Sequence, residues 1–178
     1  GQLSDMAVTD LLTGLYNRQG FEKLIHSAEN EADVRHVILY LDLDNFKYYN
    51  DTFGHEIGDL VLMQFARIFR EVIGEKGYAV RYGGDEFVLV LQNSEEEEAL
   101  KVVEKIYENI SDGFKGLLSE KYKTTVLIPN DKKISCSIGI AKYTVGNKNH
   151  MMDALSKADK LLYEVKKNGK GRFAIADF

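Results

Sequence analysis

The stretch 81-RYGGDEFVLV-90 has two glycines between apolar residues, and two adjacent carboxylates, Asp85 and Glu86, follow them directly. The aromatic and β-branched residues on both sides predict a β-hairpin that turns at Gly83-Gly84. Adjacent acids repel each other, and a plain hairpin turn is better built from Asn-Gly or Asp-Gly. The acidic pair therefore needs another explanation, and a divalent cation is the first candidate.

A second pair of carboxylates ends an apolar stretch, HVILYLDLD at 36–44, in which Asp42 and Asp44 lie two positions apart. In a strand, both side chains lie on one face. Capping of the next turn explains Asp44 as well as ligand binding does. It explains Asp42 less well, because a carboxylate deeper in an apolar strand is costly without a partner. If this strand end lies beside the hairpin, the acids form a site suited to magnesium and to phosphoryl or nucleotidyl transfer.

The rest of the chain predicts helices and strands in mixed order. Amphipathic periodicity predicts helices at 17–33, from Asp59 to about Gly74, from an N-cap at Ser94 to 110, and around 155–165. Residues 132–143 alternate as a half-buried strand. Residues 45–59 are polar, aromatic and glycine-marked, with no clean period over their second half, and 112–132 could hold an extra hairpin or a short helix. This order predicts an α/β sheet with helices packed on it and strand ends gathered at one edge.

Composition excludes several classes of protein. The chain has 178 residues, 44% of them hydrophobic and 29% charged, as expected for one globular domain. It contains no apolar run of membrane-spanning length and no visible signal peptide, so we expect a cytoplasmic domain without membrane contact. A net charge of −5 argues against a nucleic-acid binder. The single cysteine, Cys136, is predicted to be a small buried side chain.

Five motifs, in the right order and covering nearly the whole chain, resemble those of the GGDEF domains, the bacterial diguanylate cyclases. They are DLLTGLYNR at 10–18, DLDNFKYYNDTFGHEIGD at 42–59, RYGGDEF at 81–87, SIGIA at 137–141 and ADKLLYEVKKNGKGR at 158–172. The resemblance implies an α/β (α+β) fold with a central, mostly antiparallel sheet flanked by helices, similar to adenylyl cyclases and polymerase palms. It places the domain at 10–178 and the end of an upstream linker helix at 1–9, within a longer protein.

The resemblance also implies a metal site. Asp42 and Asp85 would bind Mg²⁺, or Mn²⁺ in its place, through their side chains, and Leu43 would bind it through its backbone carbonyl. Asp85 would also activate the attacking 3′-hydroxyl, and Glu86 would act beside it in the same catalytic site.

The substrate implied by the resemblance is GTP. Asn50 and Asp59 match positions that read the guanine edge, which suits an amide and a carboxylate. His55 belongs to the adjacent loop, and the backbone near Phe46 matches a phosphate contact. The matching substrate-binding positions are Phe46, Lys47, Asn50, His55, Asp59, Lys166 and Lys170.

Several of these residues have a structural alternative. Lys47 could be a solvated surface lysine, and His55 could shape its loop by hydrogen bonding. The two C-terminal lysines could simply favour the end of a helix. Asp10 and Arg18 are expected to fix the N-terminal segment, where they could pair with each other.

The implied reaction joins two GTP molecules into cyclic di-GMP and releases two pyrophosphates, with two domains facing each other in a homodimer. An upstream sensor or linker domain would control it. One alternative is a catalytically silent module that binds GTP and regulates an attached domain, although the intact acids count against it. A second alternative is a related cyclase that makes another cyclic nucleotide.

Three features depart from the pattern of the family. Gly74 and Gly77 stand where many members have the Arg and Asp of an inhibitory site for product. Lys170 stands where an Arg is frequent, which keeps the charge but loses bidentate binding of phosphate. Segment 112–132 is longer than usual and has no assigned role.

Overall fold

The computed structural model describes residues 7–27, 34–112, 114–144 and 148–176. Most of the predicted linker helix at 1–9, and the second part of the helix predicted at 17–33, lie outside the described residues.

Within these ranges the helices and strands alternate irregularly along the chain. They are α1 Arg18–Ser27, β1 Arg35–Asp44, α2 Phe46–Phe53, α3 His55–Ile73, β2 Gly77–Arg81, β3 Glu86–Leu91, α4 Glu96–Ile110, α5 Lys115–Tyr122, β4 Ser135–Thr144, α6 Lys148–Lys167 and β5 Phe173–Ile175. Short 3-10 turns lie at Gly74–Lys76 and Asn130–Lys132. None of these helices is long and apolar enough to span a membrane.

The strands form one five-stranded sheet in the order β2-β3-β1-β4-β5. All neighbours pair antiparallel except β4 and β5, which are parallel. The predicted fold, a mostly antiparallel sheet flanked by helices, is therefore confirmed. The central strand is β1, and its register places Asp42 opposite Glu86 on β3 and opposite Ser137 on β4.

Both faces of the sheet are covered, which explains why β1 reads as an almost continuous apolar run. Leu39, Leu41 and Leu43 belong to the core on the face covered by α3 and α4. Ile38 and Tyr40 belong to the core on the opposite face, together with side chains of α1 and α6. Because side chains alternate along a strand, Asp42 and Asp44 lie on this second face, at the end of β1.

The helix predicted from Asp59 begins four residues earlier, at His55. A separate helix, α2, precedes it at 46–53, in a stretch whose second half shows no clean period. Gly54 separates the two helices with a φ of 92°, a left-handed conformation that suits glycine. This break interrupts the apolar period, although Tyr49 and Ile57 on either side of it are buried.

The predicted N-cap at Ser94 was also wrong. Glu95 is the N-cap residue of α4, and its backbone N–H donates to Oε2 of Glu98 at 2.8 Å. Ser94 is buried, and its hydroxyl donates to the carbonyl of Gln92 at 2.9 Å. The acidic run therefore caps its own helix.

Segment 112–132 contains α5 and the second 3-10 turn, and it supports the end of α2. Lys121 Nζ donates to the carbonyl of Phe53 at 3.1 Å, where α2 ends. The ring of Tyr122 meets that of Phe53 with centroids 6.0 Å apart. The segment thus helps to fix the helix that carries Asn50.

Cys136 is fully buried in the core, as predicted. Burial raises the pKa of its thiol, with the nearby Asp44 adding to the effect. A neutral, inert side chain follows from this environment.

Candidate active site

The two acidic motifs meet where β1 ends beside the hairpin. The backbone N–H of Leu43 donates to the carbonyl of Asp85 at 3.2 Å, which fixes the turn against the strand. Lys166 Nζ, from the last turn of α6, lies 2.8 Å from Oδ2 of Asp42. Oδ1 of Asp42 is buried and has no hydrogen-bond partner among the described residues. A buried carboxylate oxygen without a partner is unfavourable, so this atom is suited to an additional ligand.

Asp85 lies beside Asp42, and the positive charge of Lys166 opposes only part of the effect of burial and of Asp42 on its pKa. Burial, and then the charge and hydrogen bonding of Asp42, raise the pKa of Asp85 from 3.8 to about 6. A cation between the two carboxylates would oppose these effects by favouring the ionised form of both.

The donor set fits magnesium in its usual manner of binding. The part of the chain that the structure describes holds no cluster of three or more His, Cys, Asp or Glu side chains able to bind a metal ion. Magnesium is commonly held by one or two carboxylates together with water and phosphate oxygens. The side chain of Leu43 is buried in the core on the opposite face, so only its backbone is able to contribute.

Both carboxylate oxygens of Asp44 accept hydrogen bonds from neighbouring parts of the fold. It is 2% exposed, and Oδ1 accepts the Ser137 hydroxyl at 2.8 Å while Oδ2 accepts the Gly171 N–H at 2.9 Å. Burial raises the pKa of Asp44, and these hydrogen bonds oppose that effect. These bonds match neither the cap of the next turn nor the ligand role considered for Asp44, and they make it an anchor that joins β1 to the turn after α6.

Glu86 does not join the pair formed by Asp42 and Asp85. Its Oε2 accepts the hydroxyl of Tyr40 at 2.5 Å. The other oxygen lies under the turn, since a Cβ placed on Gly83 would be 2.8 Å from Oε1 of Glu86. Sequence analysis missed Tyr40, although a hydroxyl in an otherwise apolar strand is a signal that a buried partner is needed.

The hairpin is confirmed, with its turn at the predicted glycines. β2 ends at Arg81 and β3 begins at Glu86, and neither Gly83 nor Gly84 has a left-handed backbone. A Cβ on Gly83 would displace the Glu86 carboxylate, since it would lie 2.8 Å from Oε1. A Cβ on Gly84 would meet nothing within 4 Å.

The three lysines occupy different positions. Lys166 contacts the carboxylate pair through Asp42, whereas Lys170 is exposed in the turn after α6 with a φ of 61°. Lys47 is exposed on α2 and lies 3.8 Å from Asp51. Such an exposed pair is weak, so Lys47 remains available to an anion.

The start of α2 is suited to an anion as well. Its N-cap residue, Asn45, makes no capping hydrogen bond and instead donates from Nδ2 to the carbonyl of Lys133 at 2.8 Å. The first N–H groups of the helix, beginning at Phe46, therefore have no side-chain cap. Uncapped N–H groups at a helix N-terminus bind phosphate well.

The positions matched to guanine lie where α2 meets α3. A Cβ placed on Gly58 would be only 1.7 Å from Oδ1 of Asn50, so glycine is needed for the Asn50 amide to lie against α3. Asp59 is the next residue and is exposed, and His55 is exposed in the first turn. The structure thus brings Asn50 close to the first turns of α3, which carry His55 and Asp59.

The N-terminal segment is held differently from the prediction, because Asp10 and Arg18 do not pair. Asp10 pairs with Arg81 Nη1 at 3.2 Å, and Arg81 also donates from Nη2 to the carbonyl of Gly84 at 2.9 Å. Arg18 instead lies over the ring of Tyr82, 4.0 Å from its centroid. Arg81 lies two positions before the first glycine of the turn, and a cation beside an acidic turn was a signal in the sequence for a polar partner.

Comparison with known proteins agrees with the resemblance carried by the five sequence motifs. The sequence matches the family described as "Diguanylate cyclase, GGDEF domain" over residues 7–172. The chain belongs to the GGDEF family. This family comprises nucleotidyltransferase-type cyclases, and the resemblance seen in the sequence is confirmed.

Two curated relatives and one solved structure illustrate this GGDEF domain's similarities. Diguanylate cyclase A of Treponema denticola is 32% identical over 98% of this chain and 46% of that protein. The cyclic di-GMP phosphodiesterase PdeR of Escherichia coli strain K12 is 33% identical over 98% of this chain and 25% of that protein. The coiled coil and GGDEF domain of DgcB from Caulobacter crescentus, solved in complex with c-di-GMP, has a TM-score of 0.76 and 26% identity, covering 98% of this chain and 88% of that one. The chain therefore spans less than half of either curated relative.

Proposed function

We propose that this GGDEF domain is an active diguanylate cyclase that condenses two GTP molecules into cyclic di-GMP and two pyrophosphates. The observation that carries the proposal is the buried Oδ1 of Asp42, which has no hydrogen-bond partner in the described part of the chain and belongs to a residue beside Asp85. A pair of acids so placed is unfavourable for the fold alone, and it suits a metal-assisted transfer of a nucleotidyl group. Loss of these acids would have been expected in a silent member of the family.

In this proposal, different residues bind the guanine base, bind the phosphates and accept the proton of the attacking hydroxyl. Asn50 and Asp59 read the guanine, and the N–H groups at the start of α2, Lys47 and the C-terminal lysines hold the phosphates. Asp85 accepts the proton of the 3′-hydroxyl as it attacks, and Glu86 acts beside it. Bound Mg²⁺, or Mn²⁺, would supply charge neutralisation for the phosphates through Asp42, Asp85 and the Leu43 carbonyl.

Two copies of the domain must face each other. The product contains two phosphodiester bonds, each made by the 3′-hydroxyl of one GTP and the α-phosphate of the other. One domain with one GTP supplies half of this arrangement, so we propose a homodimer under the control of upstream regions in the full-length protein. We place the domain in the cytoplasm, the compartment of its substrate, and assign it no contact with nucleic acid or membrane.

The direct test is incubation of the purified domain with GTP and Mg²⁺, followed by chromatographic identification of the products. We expect cyclic di-GMP and pyrophosphate, with none formed in excess chelator. Another cyclic nucleotide would instead identify the related cyclase considered above.

The similarity to PdeR, which is named a phosphodiesterase, favours a second candidate function, that of a catalytically silent module. In that case the domain would bind GTP and regulate an attached domain without chemistry of its own. Binding of GTP with no product, at protein concentrations at which the domain is dimeric, would identify this silent module and refute the cyclase.

Guanine selectivity is expected from Asn50 and Asp59. ATP would leave their hydrogen-bonding groups unpaired at a cost of about 1–3 kcal/mol, which weakens binding by roughly 5- to 150-fold. Calorimetry with each nucleotide in the presence of magnesium measures the difference. Asn50→Ala should reduce it, and equal affinity of the parent domain for GTP and ATP would contradict the assignment.

Product should not inhibit the domain through the usual inhibitory site. Gly74 and Gly77 provide no guanidinium or carboxylate, and a Cβ on Gly77 would lie 1.7 Å from the carbonyl oxygen of Val90 across the sheet. The β2–β3 pairing therefore leaves no room for a side chain at 77. The measurement is the rate at saturating GTP with rising cyclic di-GMP. Tight, non-competitive inhibition that is lost on substitution of Lys76 or Arg81 would reveal a substitute site.

A further inference from the structure

We propose that Tyr40 is a positioning residue that holds the Glu86 carboxylate under the signature turn. The inference rests on the proposed cyclase function, because it concerns how one of the acids of that site is oriented. Tyr40 lies two residues before Asp42 on the same face of β1. It therefore belongs to the layer of side chains that faces the site.

The register brings the two residues together. Tyr40 pairs with Val88 and Asp42 pairs with Glu86, so Tyr40 and Glu86 are diagonal neighbours on one face of an antiparallel pair. A diagonal neighbour is within reach of an aromatic side chain. The Tyr40 residue is 7% exposed, and its hydroxyl donates to Oε2 of Glu86 at 2.5 Å. Hydrogen bonds from a hydroxyl to a carboxylate are among the strong ones in proteins.

Tyr40 itself is held by its neighbours. Its ring meets that of Tyr82 edge-on, with centroids 5.7 Å apart. Tyr82 in turn contacts Phe21 of α1, and Arg18 covers its face. The hydroxyl that bonds Glu86 is therefore fixed from the strand and from α1.

Among the described residues, the hydroxyl of Tyr40 is the only hydrogen-bond donor to the Glu86 carboxylate. The backbone of the turn is fixed by N–H groups of Tyr82 and Gly83, which donate to the Glu86 carbonyl at 2.8 and 3.1 Å. Asp85 precedes Glu86 in the turn and Asp42 lies opposite Glu86 in the register of β1 and β3, so two further acids flank it. Tyr40 supplies the hydrogen bond that keeps this third acid on one side of the pair, in a single orientation relative to the reacting groups.

The test is Tyr40→Phe, which removes only the hydroxyl, with Tyr78→Phe as the matched control. Tyr78 lies in the same core layer, and its hydroxyl donates no hydrogen bond to any described residue. We expect Tyr40→Phe to lower kcat by about tenfold or more and to change KM for GTP by less than about twofold. Tyr78→Phe should leave both unchanged. A Tyr40→Phe variant with the kcat of the parent would overturn the inference, as would a rise in KM that accounts for the whole effect.

A double-mutant cycle separates positioning from general support of the fold. If Tyr40 acts through Glu86, then Tyr40→Phe should cost no further activity in a Glu86→Gln background. The same cycle in melting temperature should show coupling between Tyr40 and Glu86 and none between Tyr78 and Glu86. The melting-temperature cycle needs no turnover. If the parent domain has no cyclase activity, the proposed function is refuted, and the melting temperatures still show whether Tyr40 and Glu86 are coupled. Additive effects in the cycle would overturn the inference.

Discussion

Asp85→Asn should lower the rate of cyclic di-GMP formation by at least about a thousandfold, and Asp42→Asn should do the same. Both substitutions keep the shape of the side chain and remove its charge. Asp42→Asn changes the carboxylate whose Oδ1 has no partner in the described structure, and Asp85→Asn removes the group proposed to accept the proton. Initial rates measured at equal dimer content test the prediction, with the exposed Asp153→Asn on α6 as a control that should match the parent.

The Asp85 variant should also be more stable than the parent in magnesium-free buffer. The raised pKa of Asp85, about 6 instead of 3.8, means that the ionised form is disfavoured in the folded protein. Partial exposure reduces the cost to about 1 kcal/mol, or roughly 2–4 °C in melting temperature. Added Mg²⁺ should raise the melting temperature of the parent and have little effect on Asp85→Asn.

The dependence on pH has a definite sign. Between pH 3.8 and about 6 the folded protein binds a proton at Asp85 that the unfolded chain does not bind. This contribution to stability is lost as pH rises through that window and stays lost above it. The stabilising effect of Asp85→Asn should therefore be larger at pH 8 than at pH 5. A loss of stability at pH 8, or turnover near the rate of the parent, would contradict the metal site.

The sheet and the meeting of the two acidic motifs could be predicted because their signals are local. Asp42 and Asp44 end an apolar run, and two glycines precede Asp85, so period and turn residues place both motifs at element ends. The register of β1 with β3 then sets Asp42 opposite Glu86. Nothing in the local pattern specifies that register, which depends on how the whole sheet is covered by helices.

Tyr40 and Arg81 each carried a signal that a polar partner was needed, but the identity of the partner could not be predicted, because these contacts join residues far apart in sequence. Tyr40 bonds Glu86 across the sheet, and Arg81 pairs with Asp10. The start of α3 was misplaced for a related reason: the buried side chains of α2 and α3 face a common core on either side of Gly54, so neither helix shows its full period alone. In each case the contact partner or the start of the helix depends on tertiary packing, which the spacing of residues in the sequence does not specify.

Gly84→Ala should weaken GTP binding by at least about tenfold while leaving the free domain as stable as the parent or slightly more stable. The backbone at 84 is not left-handed, and an added Cβ would lie in open space with no atom within 4 Å. The free fold therefore does not require glycine there. A nucleotide bound against the turn would require it, since a side chain would occupy the space through which the ligand approaches the backbone.

Gly83→Ala provides the contrast, because its Cβ would lie 2.8 Å from Oε1 of Glu86. That substitution should disturb Glu86 in the free protein and lower turnover even where GTP still binds. Calorimetry with GTP and magnesium, together with the melting temperature of each variant, distinguishes the two roles. If Gly84→Ala bound GTP as tightly as the parent, the nucleotide would not lie over the turn, and the phosphate contacts assigned to α2 and the lysines would have to hold it elsewhere. If Gly84→Ala unfolded at lower temperature, the glycine would serve the fold instead of the ligand.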